Sequence, residues 1–187
     1  MKQIKKAIIL ITLPIFFASL LNANETLTHN TFYVEPKVVY TFGETVKHKS
    51  SSLQGESGLG IGLDFGYIFS KYFALELDGT FSKSKVKETN LLGEINEDTV
   101  MYYTYGINTV FTYPIKNHII LLTKLGYGSE HEDLGALNIK GSEQGATWAI
   151  GFEYEFNRYL EISAEYEGAD IRSTKGDSLQ LGLIYKF

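Results

Sequence analysis

The stretch Gly58-Leu59-Gly60-Ile61-Gly62-Leu63-Asp64-Phe65-Gly66-Tyr67-Ile68-Phe69 decides the fold. Every odd position from Leu59 to Phe69 is apolar, while the even positions hold glycines, Asp64 and Ile68. A period of two belongs to a β-strand with two unlike faces, since successive side chains point to opposite sides of the sheet. The glycine-rich face is unusual. Glycine weakens a strand that only meets water, so its density here asks for a crowded space on that side.

The same alternation recurs along the chain. Runs at 32–42, 73–82, 101–113, 118–128, 146–156, 160–167 and 178–187 join 58–69 to make eight. The run at 118–128 is the least regular, because Ile119-Ile120-Leu121-Leu122 is apolar on both faces. Short turns at 70–72, 114–117 and 157–159 alternate with long connections at 43–57, 84–98, 129–145 and 168–177. Long and short connections therefore fall on opposite ends, with both ends of the barrel segment on the short-turn side. The expected fold is all-β, an eight-stranded antiparallel up-and-down barrel.

Alternation does not say which face is outside, since a soluble ligand-carrying barrel turns its apolar set inward. Two features favour a membrane. The polar faces carry Gly58, Gly60, Gly62, Gly66, Gly106, Gly126, Gly128, Gly151 and Gly182, which make room in the narrow lumen of a small barrel. Aromatic residues gather at both ends of the apolar stripes. Phe32, Phe69, Phe73, Phe111, Tyr113, Phe156, Tyr185 and Phe187 lie at the short-turn end, and Tyr40, Phe42, Phe81, Tyr103, Tyr127, Trp148 and Tyr166 at the other. Two aromatic girdles around an aliphatic middle match the two interfaces of a bilayer. In hydrocarbon every backbone polar group must be paired within the protein, so a spanning sheet has to close. About 9–11 residues cross as a tilted strand, which the runs satisfy.

The N-terminus reads as an export signal. Lys2, Lys5 and Lys6 precede the apolar stretch 7–21, and Leu21-Asn22-Ala23 ends in a small residue. Residues 1–23 are the expected signal peptide, cut after Ala23, and 24–187 the barrel domain. There is no cysteine, hence no disulfide framework and no thiolate metal site. The net charge of −5 becomes −8 once the three signal lysines are removed, which argues against nucleic acid as a partner.

The inward register gathers charge. Lys37, Asp64, Glu76, Asp78, Lys124, Glu153 and Glu165 are expected near mid-membrane, with Glu155, Glu161, Glu167 and Lys186 also inward and His118 near the short-turn end. Lone buried charges are costly, so these should pair and be hydrated. The expected result is a lumen filled by an ion-pair network. The alternative is a narrow, cation-leaning channel, favoured by the excess of acids. On the opposite face, Lys83, Lys85 and Lys87 lie just beyond Phe81, at the level of lipid phosphates, and are candidates to contact lipopolysaccharide phosphates.

Catalysis looks poor. His48-Lys49-Ser50 has a His-x-Ser order but sits in a long connection, and Glu130-His131-Glu132-Asp133 reads as charged loop sequence rather than a metal site. No phosphate loop or zinc spacing is present. The expectation is a non-enzyme without cofactor or metal; a lipid A-modifying enzyme is the least favoured reading. The long connections carry mixed charge, including Lys47, Glu94, Lys140, Arg172 and Lys175, and are where an extracellular ligand would bind.

The chain ends on Tyr185-Lys186-Phe187, with Phe187 in the lipid-facing register. With the strand count and the loop asymmetry, this resembles the small outer-membrane barrels of the OmpA/OmpX type across the whole mature chain. The resemblance implies an outer-membrane location, recognition of Phe187 by the barrel-assembly machinery, and a monomer surrounded by outer-membrane lipid and lipopolysaccharide. It also implies adhesion, serum-resistance or membrane-stabilising roles. The periplasmic peptidoglycan-binding domain of OmpA itself is expected to be absent.

Overall fold

A computed structural model describes residues 30–47, 51–90, 95–134 and 139–187. The expected signal peptide, 1–23, lies outside the described residues, as do His48, Lys49, Ser50 and Glu94. The described residues form ten strands: β1 (Thr31–Thr41), β2 (Thr45–Lys47), β3 (Ser51–Gly55), β4 (Gly58–Ser70), β5 (Phe73–Asn90), β6 (Ile95–Lys116), β7 (Ile119–Leu134), β8 (Ile139–Asn157), β9 (Leu160–Ala169) and β10 (Ser178–Lys186). Eight of them form an antiparallel ring in the order β1-β4-β5-β6-β7-β8-β9-β10, and β10 closes back on β1 from Tyr33↔Lys186 to Thr41↔Ser178. The Phe187 N–H donates to the Phe32 carbonyl at 2.9 Å, which carries the seam to the last residue.

Side-chain placement follows the alternation. Leu59 and Ile61 are each 66% exposed on the outer face, whereas Asp64 is 0% exposed inside. Along β1, Tyr33, Glu35, Lys37, Val39 and Thr41 are all buried in the lumen. The core of this protein is thus its interior channel, and the greasy residues cover the outside.

Local sequence sets the short turns. Between β8 and β9 the Asn157 carboxamide oxygen accepts from the N–H of Tyr159 at 2.9 Å and of Leu160 at 3.1 Å, so the side chain closes the turn on its own backbone. Between β6 and β7, His118 takes a left-handed conformation with φ 70°.

Aromatic rings touch from strand to strand around both rims. At the short-turn end Phe187, Phe32, Phe65, Tyr67, Phe69, Phe73 and Phe111 form a chain of neighbours 4.7–6.3 Å apart. At the far end Tyr40 meets Phe42, Phe42 meets Tyr166, Tyr166 meets Trp148, and Phe81 meets Tyr103. Such cross-strand aromatic pairs add to sheet stability beyond the area they bury.

The long connections differ from their sequence-based expectation. Most of 84–98 and 129–145 is strand: β5 runs for 18 residues, β6 for 22, β7 for 16 and β8 for 19. β6 is about twice the 9–11 residues that cross a bilayer. Beyond the aromatic rim the outer face is wet and the buried inner face mixes polar with apolar residues, Ser84, Val86, Val100, Ser129 and Glu130 among them, so the apolar alternation fades although the hydrogen-bond ladder continues. The first long connection also folds. β2 and β3 form a hairpin, and β3 pairs with the outer part of β5 from Ser51↔Asn90 to Gly55↔Val86. Beneath it Leu53 packs on buried Val86, Val100 and Tyr102.

Candidate functional site

Five strands aim ionisable side chains at the middle of the lumen. Lys124 of β7 stands at the hub. Its ammonium lies 2.9 Å from Glu76 (β5), 3.0 Å from Glu165 (β9), 3.3 Å from Asp64 (β4) and 3.9 Å from Glu35 (β1). Lys37 of β1 bonds Asp64 at 2.6 Å. All six residues are buried. The Tyr33 hydroxyl donates to Glu76 at 2.6 Å, and the Ser163 hydroxyl donates to Glu35. Two ammonium groups therefore serve four carboxylates, and hydroxyl donors supplement them. Charges taken out of water need this close, multiply bonded geometry to offset their desolvation.

Of the residues expected in the network, Lys37, Asp64, Glu76, Lys124 and Glu165 meet. Asp78 does so through an amide: the Asn108 Nδ2 donates to Asp78 at 3.0 Å and to Glu76 at 3.4 Å, while Thr147 donates to the Asn108 oxygen at 3.2 Å. Glu153 does not join. It sits nearer the short turns and makes no hydrogen bond or salt bridge among the described residues. Glu35 and Tyr33 are members that the sequence reading leaves out, although the alternation Tyr33-Glu35-Lys37 already places both inward.

Glycines on the inner face give this cluster its space. A Cβ at Gly66 would fall within the Tyr33 ring, and one at Gly182 would meet the Glu35 carboxylate and the Ser163 hydroxyl. Ligand oxygens of Glu35, Asp64 and Glu76 lie within 4.8 Å of one another, a spacing a metal ion could use. The Lys124 ammonium, within 3.9 Å of all three, occupies that role here.

A second layer closes the outer mouth. The connection after β9, expected to be an exposed loop, folds inward, with Ser173, Thr174 and Lys175 buried. The Lys175 ammonium lies 3.3 Å from Glu130 and donates to the Thr104 hydroxyl at 3.1 Å. Thr174 shares a 2.6 Å hydrogen bond with the Tyr102 hydroxyl, and its N–H donates to Glu132 at 3.1 Å. Backbone N–H groups of Phe42, Gly43 and Glu44 donate to the carbonyls of Asp177, Lys175 and Thr174 at 2.9 Å. Lys175 thus serves the mouth of the barrel rather than its outer surface. Burial and the neighbouring Glu130 and Glu143 push the Glu132 carboxyl upward from the usual carboxylate range.

The outward lysines divide. Lys83 and Lys85 are exposed and make no salt bridge among the described residues, standing opposite Met101 and Thr99 of β6. Lys87 instead bridges Glu56 at 2.5 Å and Glu97 at 3.4 Å. Its hydrogen bond holds the Glu56 carboxyl below its ordinary value, and its own ammonium is raised in return. Strand alternation also breaks up the acidic run around His131. Glu130 is buried inside, whereas the exposed His131 ring stacks on Tyr105 at 5.6 Å with its Nε2 3.4 Å from the Ser142 hydroxyl.

Residues 9–187 match the family model for the outer membrane protein beta-barrel domain. Among solved structures, the chain is similar to the outer membrane protein OprG of Pseudomonas aeruginosa, with 14% identity and a TM-score of 0.68 over 85% of this chain and 96% of that one. It is also similar to Neisserial surface protein A, with 17% identity and a TM-score of 0.56 over 87% of this chain and 100% of that one. Ail, the attachment invasion locus protein of Yersinia pestis, gives 17% identity and a TM-score of 0.55 over 86% and 100%. No curated protein matches the sequence.

Proposed function

The chain belongs to the outer membrane protein beta-barrel domain family, and from that premise we propose that it is a closed, non-enzymatic barrel whose work lies at the cell surface, in adhesion or in stabilising the membrane. The observation that carries this reading is the double closure of the lumen. The Lys124 cluster blocks mid-membrane, and the segment around Lys175 blocks the outer mouth. An eight-stranded barrel leaves an interior just wide enough for side chains, and here charged ones fill it. What faces outward is the wall of β5–β8 rising beyond the aromatic rim, a rigid scaffold of the sort that presents binding residues.

Within this reading, Lys83 and Lys85 contact phosphates of lipopolysaccharide as point charges, and Lys87 is shared with Glu56 and Glu97. Phe187 is the assembly signal, and the segment 1–23 is removed on export. Reversing Lys83 and Lys85 to glutamate should lower the lipid A that co-purifies; unchanged retention contradicts the contact.

A second reading, a narrow cation-leaning channel, has one observation in its favour: four carboxylates against two ammonium groups at the constriction. Planar-bilayer recordings separate the two. The closed-barrel reading expects no unitary currents from purified protein. Steady currents that prefer cations would establish the channel.

A further inference from the structure

Below the Lys124 cluster, the lumen opens into a cavity of about 440 Å³ at the short-turn end, reaching the turn residues Lys71 and Arg158. Its size falls in the range of small-molecule sites. One side is apolar: Tyr33, Ala74, Val110 and Ile184 are buried together, with Ile68 packed against them. This continuous apolar lining sets the cavity apart from the charged cluster in the middle of the lumen.

The other side is acidic. Glu153 of β8 lines the cavity at 9% exposure and has no hydrogen bond or ion pair among the described residues. The charged groups facing it are Glu161 and Lys186, and, deeper, Glu35 and Lys124. Each nearby cation is already engaged. Lys186 bonds Glu161, and Lys124 serves the mid-lumen carboxylates. At the rim, Arg158 lies 4.5 Å over the Tyr159 ring and Lys71 lies 4.9 Å over the Tyr72 ring. A buried carboxylate without a counter-ion is costly, and a bound cation relieves that cost.

We propose that this cavity binds small primary amines with a compact apolar body, Glu153 serving as counter-ion and Tyr33, Ala74, Val110 and Ile184 as the apolar seat. An anion of the same shape would meet Glu153, Glu155 and Glu161 in the walls, where Lys186 is taken up by Glu161 and the other lining cations, Lys71 and Arg158, stand at the rim. The ligand enters from the aqueous side at the short turns, because the Lys124 cluster seals the cavity from the other direction. The site does not depend on the surface role proposed above, since it faces the opposite end.

Methyl-labelled barrel in zwitterionic micelles tests this by titration with phenethylamine and with phenylpropionate as its anionic counterpart. Saturable shifts at Ala74, Val110 and Ile184 are expected with the amine, and much weaker ones with the carboxylate. Glu153→Gln should weaken amine binding about tenfold or more, the scale of one charge-assisted hydrogen bond. Ala74→Phe, which leaves every charge in place and fills the seat, should abolish the shifts. Equal shifts with amine and carboxylate in the unmodified barrel overturn the proposal. So do non-saturating shifts, or unchanged binding in Ala74→Phe. The amine–carboxylate comparison and Ala74→Phe stand even if Glu153→Gln does not fold.

Discussion

The two closures of the lumen are built on different principles. The mid-membrane closure uses side chains from five separate strands of the ring, each held in place by hydrogen-bonded neighbours on both sides. The outer closure uses one connection, residues 170–177, tied down by Lys175, Thr174 and a few backbone hydrogen bonds. The first cannot open without loss of the barrel. The second can lift while every ring strand stays paired. Both use a buried lysine among carboxylates, yet their energetic weights differ because one joins five strands of the ring and the other ties down a single connection.

Lys124→Met is the strongest way to break this contrast. It leaves Glu35, Asp64, Glu76 and Glu165 facing one another with Lys37 alone, and removing one partner from a buried ion cluster costs about 3–5 kcal/mol. Heat-modifiable gel mobility and urea unfolding should both show it; an unaffected midpoint would mean that the cluster adds nothing to stability. Tyr33→Phe removes only the hydroxyl donated to Glu76. A hydrogen bond to a charged acceptor contributes about 1.5–3 kcal/mol, so a smaller fall in the same unfolding midpoint is expected.

Lys175→Ala acts on the outer closure. Amide exchange of residues 171–177 should quicken several-fold, corresponding to about 1 kcal/mol of easier local opening. Global unfolding should hardly move. If instead the whole barrel loses stability, the two closures are one cooperative unit and the distinction fails.

The Glu56–Lys87 pair sharpens the contrast at its weak end, since both groups are exposed. Glu56 is lowered in the folded protein by the Lys87 hydrogen bond. Its contribution is therefore fully present above the unfolded carboxylate value of about 4.3 and is lost as pH falls through the folded value. Thermal unfolding of Glu56→Gln should match the unmodified barrel at acid pH and fall slightly below it near neutrality.

The contrast also explains what could be read from sequence. The inward positions of Lys37, Asp64, Glu76, Lys124 and Glu165 follow from strict alternation within membrane-length runs, where burial against lipid forces a period of two. Glu35 was legible by the same rule, as the inward neighbour of Lys37. The inward fold of Lys175 was not. Between Asp170 and Asp177 there is no periodicity, and a lysine in such a stretch looks like any solvated charge until Glu130 and Thr104 are seen beneath it. The extensions of β5 to β8 and the β2–β3 hairpin were hidden for a related reason. Beyond the aromatic rim the outer sheet face meets water and the inner one buries polar and apolar residues alike, so pairing leaves little trace in the order of residues.

Trp148 is the only tryptophan of the chain and lies 44% exposed on the outer face of β8, at the rim far from the short turns. Its fluorescence in liposomes containing lipids brominated along the acyl chain tests the orientation on which both closures depend. Strong quenching is the expected result, because apolar side chains face lipid and charges face the lumen. Fluorescence indifferent to bromine would place Trp148 in water or in a protein interior, and would contradict the account.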